Sequence, residues 1–99
     1  MQFEWHEEKR KTNIEKHDLD FLDAIQVFEG PHFIVDRTRE EDKEERKAAI
    51  GPIPEDVVPT HWSGNLIVVV FTWRDDTIRI ISARRAGTDE RRRYEDHAG

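Results

Sequence analysis

The run Leu66–Trp73, Leu-Ile-Val-Val-Val-Phe-Thr-Trp, constrains this chain more than any other feature. It is almost continuously apolar and rich in β-branched residues, which suits a central strand covered on both faces. Asp75-Asp76 follows as a tight turn, and Ile78–Ala83 reads as the next strand. The rest of the chain must cover this hairpin with little material, because only 35% of the 99 residues are hydrophobic. A length of 99 residues admits one domain, spanning 1–99. Such domains have a few to ~10 kcal/mol of net stability.

Upstream, Met1–Trp5 alternates apolar and polar at strand period, and Glu7–His17 reads as a charged helix with Ile14 as its main apolar contact. Asp20 is placed to cap a second helix, with Asp23 three residues later in capping-box fashion. Phe21, Leu22, Ala24, Ile25 and Phe28 form that helix's apolar face, and Gly30-Pro31 ends it. His32–Asp36 reads as a short strand, and Arg37–Glu45 as a solvated turn in which eight of nine residues are charged. Arg46–Ile53 is a further strand reaching Gly51, and 52–65 is loop-rich. Thr88 is expected to cap a last helix, Asp89–His97. The order β-α-α-β-β-β-β-α lacks regular alternation and predicts an α+β fold: a small, mostly antiparallel sheet with helices on one side.

Composition removes several chemistries. There is no cysteine, hence no disulfide, thiolate nucleophile or thiolate zinc site, and a reducing cytoplasm is the natural compartment. No apolar run approaches the ~18 residues of a membrane span, and no signal segment is expected at Met1. His6, His17, His32, His61 and His97 show no ligand spacing, so neither metal nor cofactor is expected. Ser63 and Ser82 are the only serines, and neither sits in a nucleophile elbow. No phosphate loop or dinucleotide fingerprint is present.

The formal charge of −6 argues against nucleic acid at first sight, but its distribution does not. Residues 1–73 hold nine bases against 16 acids, a net of −7; residues 74–99 hold seven bases against six acids, a net of +1. All seven of those bases are arginine, whose planar fork suits phosphate and carboxylate. With Asp75-Asp76 as a two-residue hairpin, Arg74 faces Thr77, and Arg79 shares a sheet face with Arg74. Arg84 joins that face only where the strand ends or bulges, since it lies an odd number of residues from Arg79. Guanidiniums gathered on one face call for an anion between them. A phosphate, or Glu44 or Glu45 from the neighbouring strand, fits equally well.

One set of residues carries a family resemblance. It comprises Phe3-Glu4-Trp5, Lys9, Asn13, Lys16-His17, Phe21, Ala24 and Val27-Phe28, then Glu45-Arg46 before Ile50-Gly51, Thr72 and Arg74. It continues through Arg79-Ile80-Ile81-Ser82-Ala83-Arg84-Arg85-Ala86, with Glu90-Arg91 and Tyr94. Over nearly the whole chain these residues resemble the BrnT family of bacterial toxins. The resemblance implies a RelE-like α+β ribonuclease, the toxin half of a type II toxin–antitoxin pair. It implies a cognate antitoxin of ribbon-helix-helix type, a hetero-oligomer with that antitoxin, and operator DNA contacted only through it. Matching to the family motifs assigns Arg74, Arg79 and Arg84 to the scissile phosphate of an RNA substrate. It makes Glu45 the candidate base, with His17 second, and adds Arg46, Arg85 and Tyr94 as substrate-binding residues. Metal-independent cleavage is the implied reaction.

The bland readings stand beside these. Glu45 pairs with an arginine, His17 caps a helix end, and Tyr94 packs on the sheet. On them the chain is a non-enzymatic binding subunit whose arginines hold an acidic partner. The chain departs from the family pattern at His6, in place of a capping Asp, and at Asp18 and Lys43, each in place of Gly.

Overall fold

The computed structural model describes residues 1–98. A five-stranded sheet runs in the order β1-β5-β4-β3-β2, with β1 Gln2–Glu4, β2 Phe33–Asp36, β3 Lys47–Pro52, β4 Leu66–Arg74 and β5 Thr77–Arg85. β4 is the middle strand, as its unbroken apolar run requires. All pairings are antiparallel except β1 with β5, which is parallel. Asp75 takes a φ of 56° in the turn between β4 and β5, and Arg74 pairs with Thr77.

Helix α1 spans Glu7–His17, α2 Phe21–Ala24 and α3 Thr88–Ala98, with 3₁₀ turns at Ile25–Glu29 and Glu55–Val57. The second helix is therefore four α-helical residues that tighten into a 3₁₀ turn. Asp20 caps it by accepting from the Leu22 N–H at 3.0 Å. Leu22 itself is exposed, so the apolar face is Phe21, Ala24 and Val27, with Ile25 and Phe28 packed against it.

Each face of the sheet has its own apolar cluster. Phe71, Ile78, Ile80 and Ala83 meet Leu19, Phe21, Ala24 and Val27 on the α2 face. Ala48, Ile50, Val68 and Ala86 meet Phe33, Val35 and Tyr94 on the α3 face. The expectation of helices on one side is thus corrected. Val68 and Val70 give the second face an apolar surface of its own, and α3 covers part of it.

Ile14 does not anchor α1, because it is 36% exposed. Asn13 does so instead. Its amide donates to the carbonyls of Leu19 and Ala83 at 2.9 and 2.8 Å and accepts from the Ala83 N–H at 3.0 Å. The register of β1 on β5 stops at Arg79, so beyond it the amide pairs with β5 as a neighbouring strand would.

The three departures from the family pattern resolve differently. His6 stands at the N-cap of α1 and makes no side-chain cap hydrogen bond. Asp18 sits at φ 55°, ψ 34°, the left-handed conformation that a glycine adopts without strain. Lys43 is not among the positive-φ residues, so the turn around it needs no glycine.

Candidate functional site

The site is built on the α3 face by an irregularity in β5. Phe71 pairs with Ile80 and Val70 with Ser82, so Ile81 is an extra residue in the ladder. Arg79 and Arg84 are five residues apart, and the extra residue restores even parity. Arg79 opposite Thr72, Ser82 opposite Val70 and Arg84 opposite Val68 therefore share one face. Arg74, opposite Thr77, lies at the far end of that face.

Arg84 reaches a cleft of about 260 Å³ that it lines with Arg37, Arg39, Arg46, Ser82 and Ile81. Val68 and Val70 supply its apolar surface. Arg37 and Arg39 continue the alternation of Phe33 and Val35 onto the α3 face, and the Arg37 N–H donates to the Arg46 carbonyl at 2.8 Å. Reading residues 37–45 as a merely solvated turn overlooked this. The period of two running from Phe33 through Arg39 was the available signal.

Glu90 sets the geometry of this cleft. It is the third residue of α3 and accepts from the Gly87 N–H at 2.7 Å, as a capping box does. The same carboxylate accepts from Arg84 Nη1 at 3.0 Å and lies 3.7 Å from Arg37. The hydrogen bond from Arg84, then that from Gly87, holds its carboxyl below the ordinary range. Sequence reasoning gave Glu90 no role.

The remaining candidates divide. Arg79 pairs with Glu4 at 3.6 Å, Arg74 with Glu44 at 3.7 Å, and Arg46 with Asp42 at 3.4 Å. Each arginine thus has its own carboxylate, and no single anion holds them together. Lys9, Lys16 and His17 line a second cleft of about 290 Å³, and Ile81 and Ser82 line both clefts. Glu45 is exposed and makes no hydrogen bond or ion pair among the described residues.

Arg85 is separated from the others, because its place opposite Ile67 turns it to the α2 face. There it donates to the Ser63 carbonyl and hydroxyl, both at 3.0 Å, and its guanidinium lies 6.0 Å from the Trp62 ring centre. Tyr94 stacks on Phe33 at 6.1 Å, and its hydroxyl donates to the Pro31 carbonyl at 3.4 Å. Both residues are engaged in holding the fold. Among the described residues, no three His, Cys, Asp or Glu side chains gather as metal ligands. Among the same residues, no helix is long and apolar enough to cross a membrane.

Comparison with known proteins bears on the family and the fold. Residues 5–90 match the family described as "Ribonuclease toxin, BrnT, of type II toxin-antitoxin system". No curated protein sequence matches. The fold is similar to the 1.1 Å crystal structure of the Brucella abortus ribonuclease toxin BrnT. The TM-score is 0.57 at 30% identity, over 89% of this chain and 99% of that chain.

Proposed function

The chain belongs to the family of BrnT ribonuclease toxins of type II toxin–antitoxin systems, and from that premise we propose that it cleaves RNA without a metal ion, through its sheet-face arginines. The observation that carries this reading is the bulge at Ile81, which brings Arg79 and Arg84 onto one face beside the cleft shared with Arg46. In the proposed reaction the 2′-oxygen attacks the adjacent phosphorus and the bond to the 5′-oxygen breaks. A base takes the 2′-hydroxyl proton, and an acid returns one to the leaving 5′-oxygen. The products are a 2′,3′-cyclic phosphate and a free 5′-hydroxyl. Arg79 and Arg84 stabilise the crowded phosphate, with Arg74 at the edge of the same face. Of the two candidate bases, Glu45 and His17, the shared Ile81–Ser82 wall favours His17. Arg46 lines the cleft and remains a substrate-binding residue; the contacts of Arg85 and Tyr94 give them supporting parts instead.

A toxin of such a pair has a cognate antitoxin. That this antitoxin is a ribbon-helix-helix protein, that it carries all operator contacts, and that the pair works in the cytoplasm as a hetero-oligomer are parts of the proposal resting on the family resemblance. An Arg79→Ala, Arg84→Ala double variant is expected to keep its circular dichroism and lose both growth arrest and RNA cleavage in EDTA. Arrest at full strength by the double variant refutes the arginine assignment. Intact RNA after incubation with the unaltered protein favours a binding module over an enzyme.

A further inference from the structure

Two buried side-chain atoms among the described residues lack any hydrogen-bond partner, Thr72 Oγ1 and Arg46 Nε. Such a group costs about 1–3 kcal/mol when wholly unpaired, as Thr72 Oγ1 is. Arg46 Nε keeps a 3.4 Å ionic contact with Asp42 Oδ1, and two such atoms in one place call for a reason. They belong to one row across the α3 face. Thr72 is opposite Arg79 on β5, and Arg46 directly precedes Lys47, which is opposite Phe71 on β4. Thr72 is therefore flanked by an arginine on either side, and it is only 1% exposed. The Arg46 and Arg79 side chains are 28% and 24% exposed, so both reach solvent from a largely covered position.

Their present partners hold them loosely. Arg46 stands 3.4 Å from Asp42 and Arg79 3.6 Å from Glu4, and neither guanidinium makes a hydrogen bond among the described residues. Arg84, by contrast, donates to Glu90 and to the Arg85 carbonyl. The row thus combines two under-used guanidiniums with a neutral hydroxyl between them. Adjacent strands lie about 4.8 Å apart, so the two arginines start roughly 10 Å apart across the short threonine. That span admits one tetrahedral oxyanion whose oxygens take donors from both sides.

We infer that Arg46, Thr72 and Arg79 seat one phosphate group of the RNA backbone, with the Thr72 hydroxyl as its neutral donor. This deepens the ribonuclease reading by adding a residue that positions the substrate, and it rests on that reading for the identity of the ligand. The arginine side chains that part to admit the phosphate are the two that no hydrogen bond restrains. Seating a phosphate draws the Arg46 guanidinium off Asp42, whose buried carboxylate stays held by the Arg39 N–H and Nη2 at 2.8 and 3.0 Å. It also draws Arg79 off Glu4, so the seat needs no change in the sheet.

Thr72→Val is the test, because it keeps the shape of the side chain and removes only the hydroxyl. The purified variant should melt at or above the unaltered protein, since an unsatisfied buried group is gone. Its affinity for a fluorescein-labelled single-stranded RNA, read by anisotropy, should fall about 5- to 20-fold, and its cleavage rate should fall with it. Thr72→Ser should recover affinity to within about threefold. Unchanged affinity in Thr72→Val, or a loss that Thr72→Ser does not reverse, overturns the seat. Affinity that follows this pattern while the unaltered protein leaves RNA uncut sustains the seat and rejects the ribonuclease reading.

Discussion

On the α2 face, β4 and β5 present Phe71, Ile78, Ile80 and Ala83 to a set of aromatic rings; on the α3 face the same strands present Thr72, Arg79, Ser82 and Arg84. Phe71 lies 5.2 Å from Phe28, and Phe28 lies 5.6 Å from Phe3, so the first face is a continuous aromatic core. Among the described residues, the second face has only Ala48, Ile50, Val68 and Ala86 as its buried apolar residues. One hairpin thus carries stability on one side and charge on the other. The difference teaches that a thin core can be concentrated behind a site rather than spread around it.

That division is most severely tested by Phe71→Ala. It should cost about 3–5 kcal/mol, a large fraction of the total for a domain of this size, seen as a fall in denaturant midpoint. An unchanged midpoint would show that the aromatic face is not where stability resides. Next comes the contrast between neighbours on opposite faces. Arg84→Ala should slow RNA cleavage on the order of 10²–10³-fold with little change in melting temperature. Arg85→Ala should leave cleavage within about twofold and increase amide exchange around Ser63, as expected of a surface contact to a loop. Reversal of this pair of outcomes would exchange the parts played by the two faces.

Asn13→Ala should destabilise by about 1–3 kcal/mol, because it strips partners from the Ala83 N–H and carbonyl and from the Leu19 carbonyl. Chemical denaturation measures this, and a neutral result would show that water replaces the amide at no cost. The smallest effect belongs to Glu90→Gln. The folded protein depresses the Glu90 carboxyl from its ordinary value of 4.5, so its contribution is present above pH 4.5 and lost as pH falls through the folded value. The stability gap between the two proteins should therefore be full at pH 7 and close in acid. Melting curves from pH 7 to about pH 3 give the comparison, and a gap that widens in acid would contradict the arginine–carboxylate geometry.

The strands around Asp75-Asp76 were legible because apolar period and turn chemistry agree there, and Asp75 duly takes the positive φ of such a turn. Asp20 announced its cap for the same local reason. The bulge was not legible as a fact, only as a condition. Ile80-Ile81-Ser82-Ala83 contains neither glycine nor proline, and the alternation that would betray an extra residue is masked by two isoleucines in succession. Asn13 was unreadable for a different reason, since its partner Ala83 lies 70 residues away and nothing in α1 declares a strand edge. The cleft arginines from residues 37–46 were obscured by their acidic neighbours, which made a patterned face resemble an unstructured run of charge. The family resemblance supplied candidate roles but not which face each side chain would occupy. Arg84 and Arg85, adjacent in one motif, ended on opposite sides.

The Asn13 amide has a consequence beyond the stability of one molecule. β1 is three residues long and β5 is nine, so most of β5 is left without a strand on that side. Such an edge is a template on which another chain can add itself, and at high concentration it seeds aggregation. A single side chain stands at Ala83 where that visitor would dock, and it satisfies both backbone groups that would recruit it. Asn13 is in this sense a stopper against self-templating, set in the helix α1 that lies along the same edge.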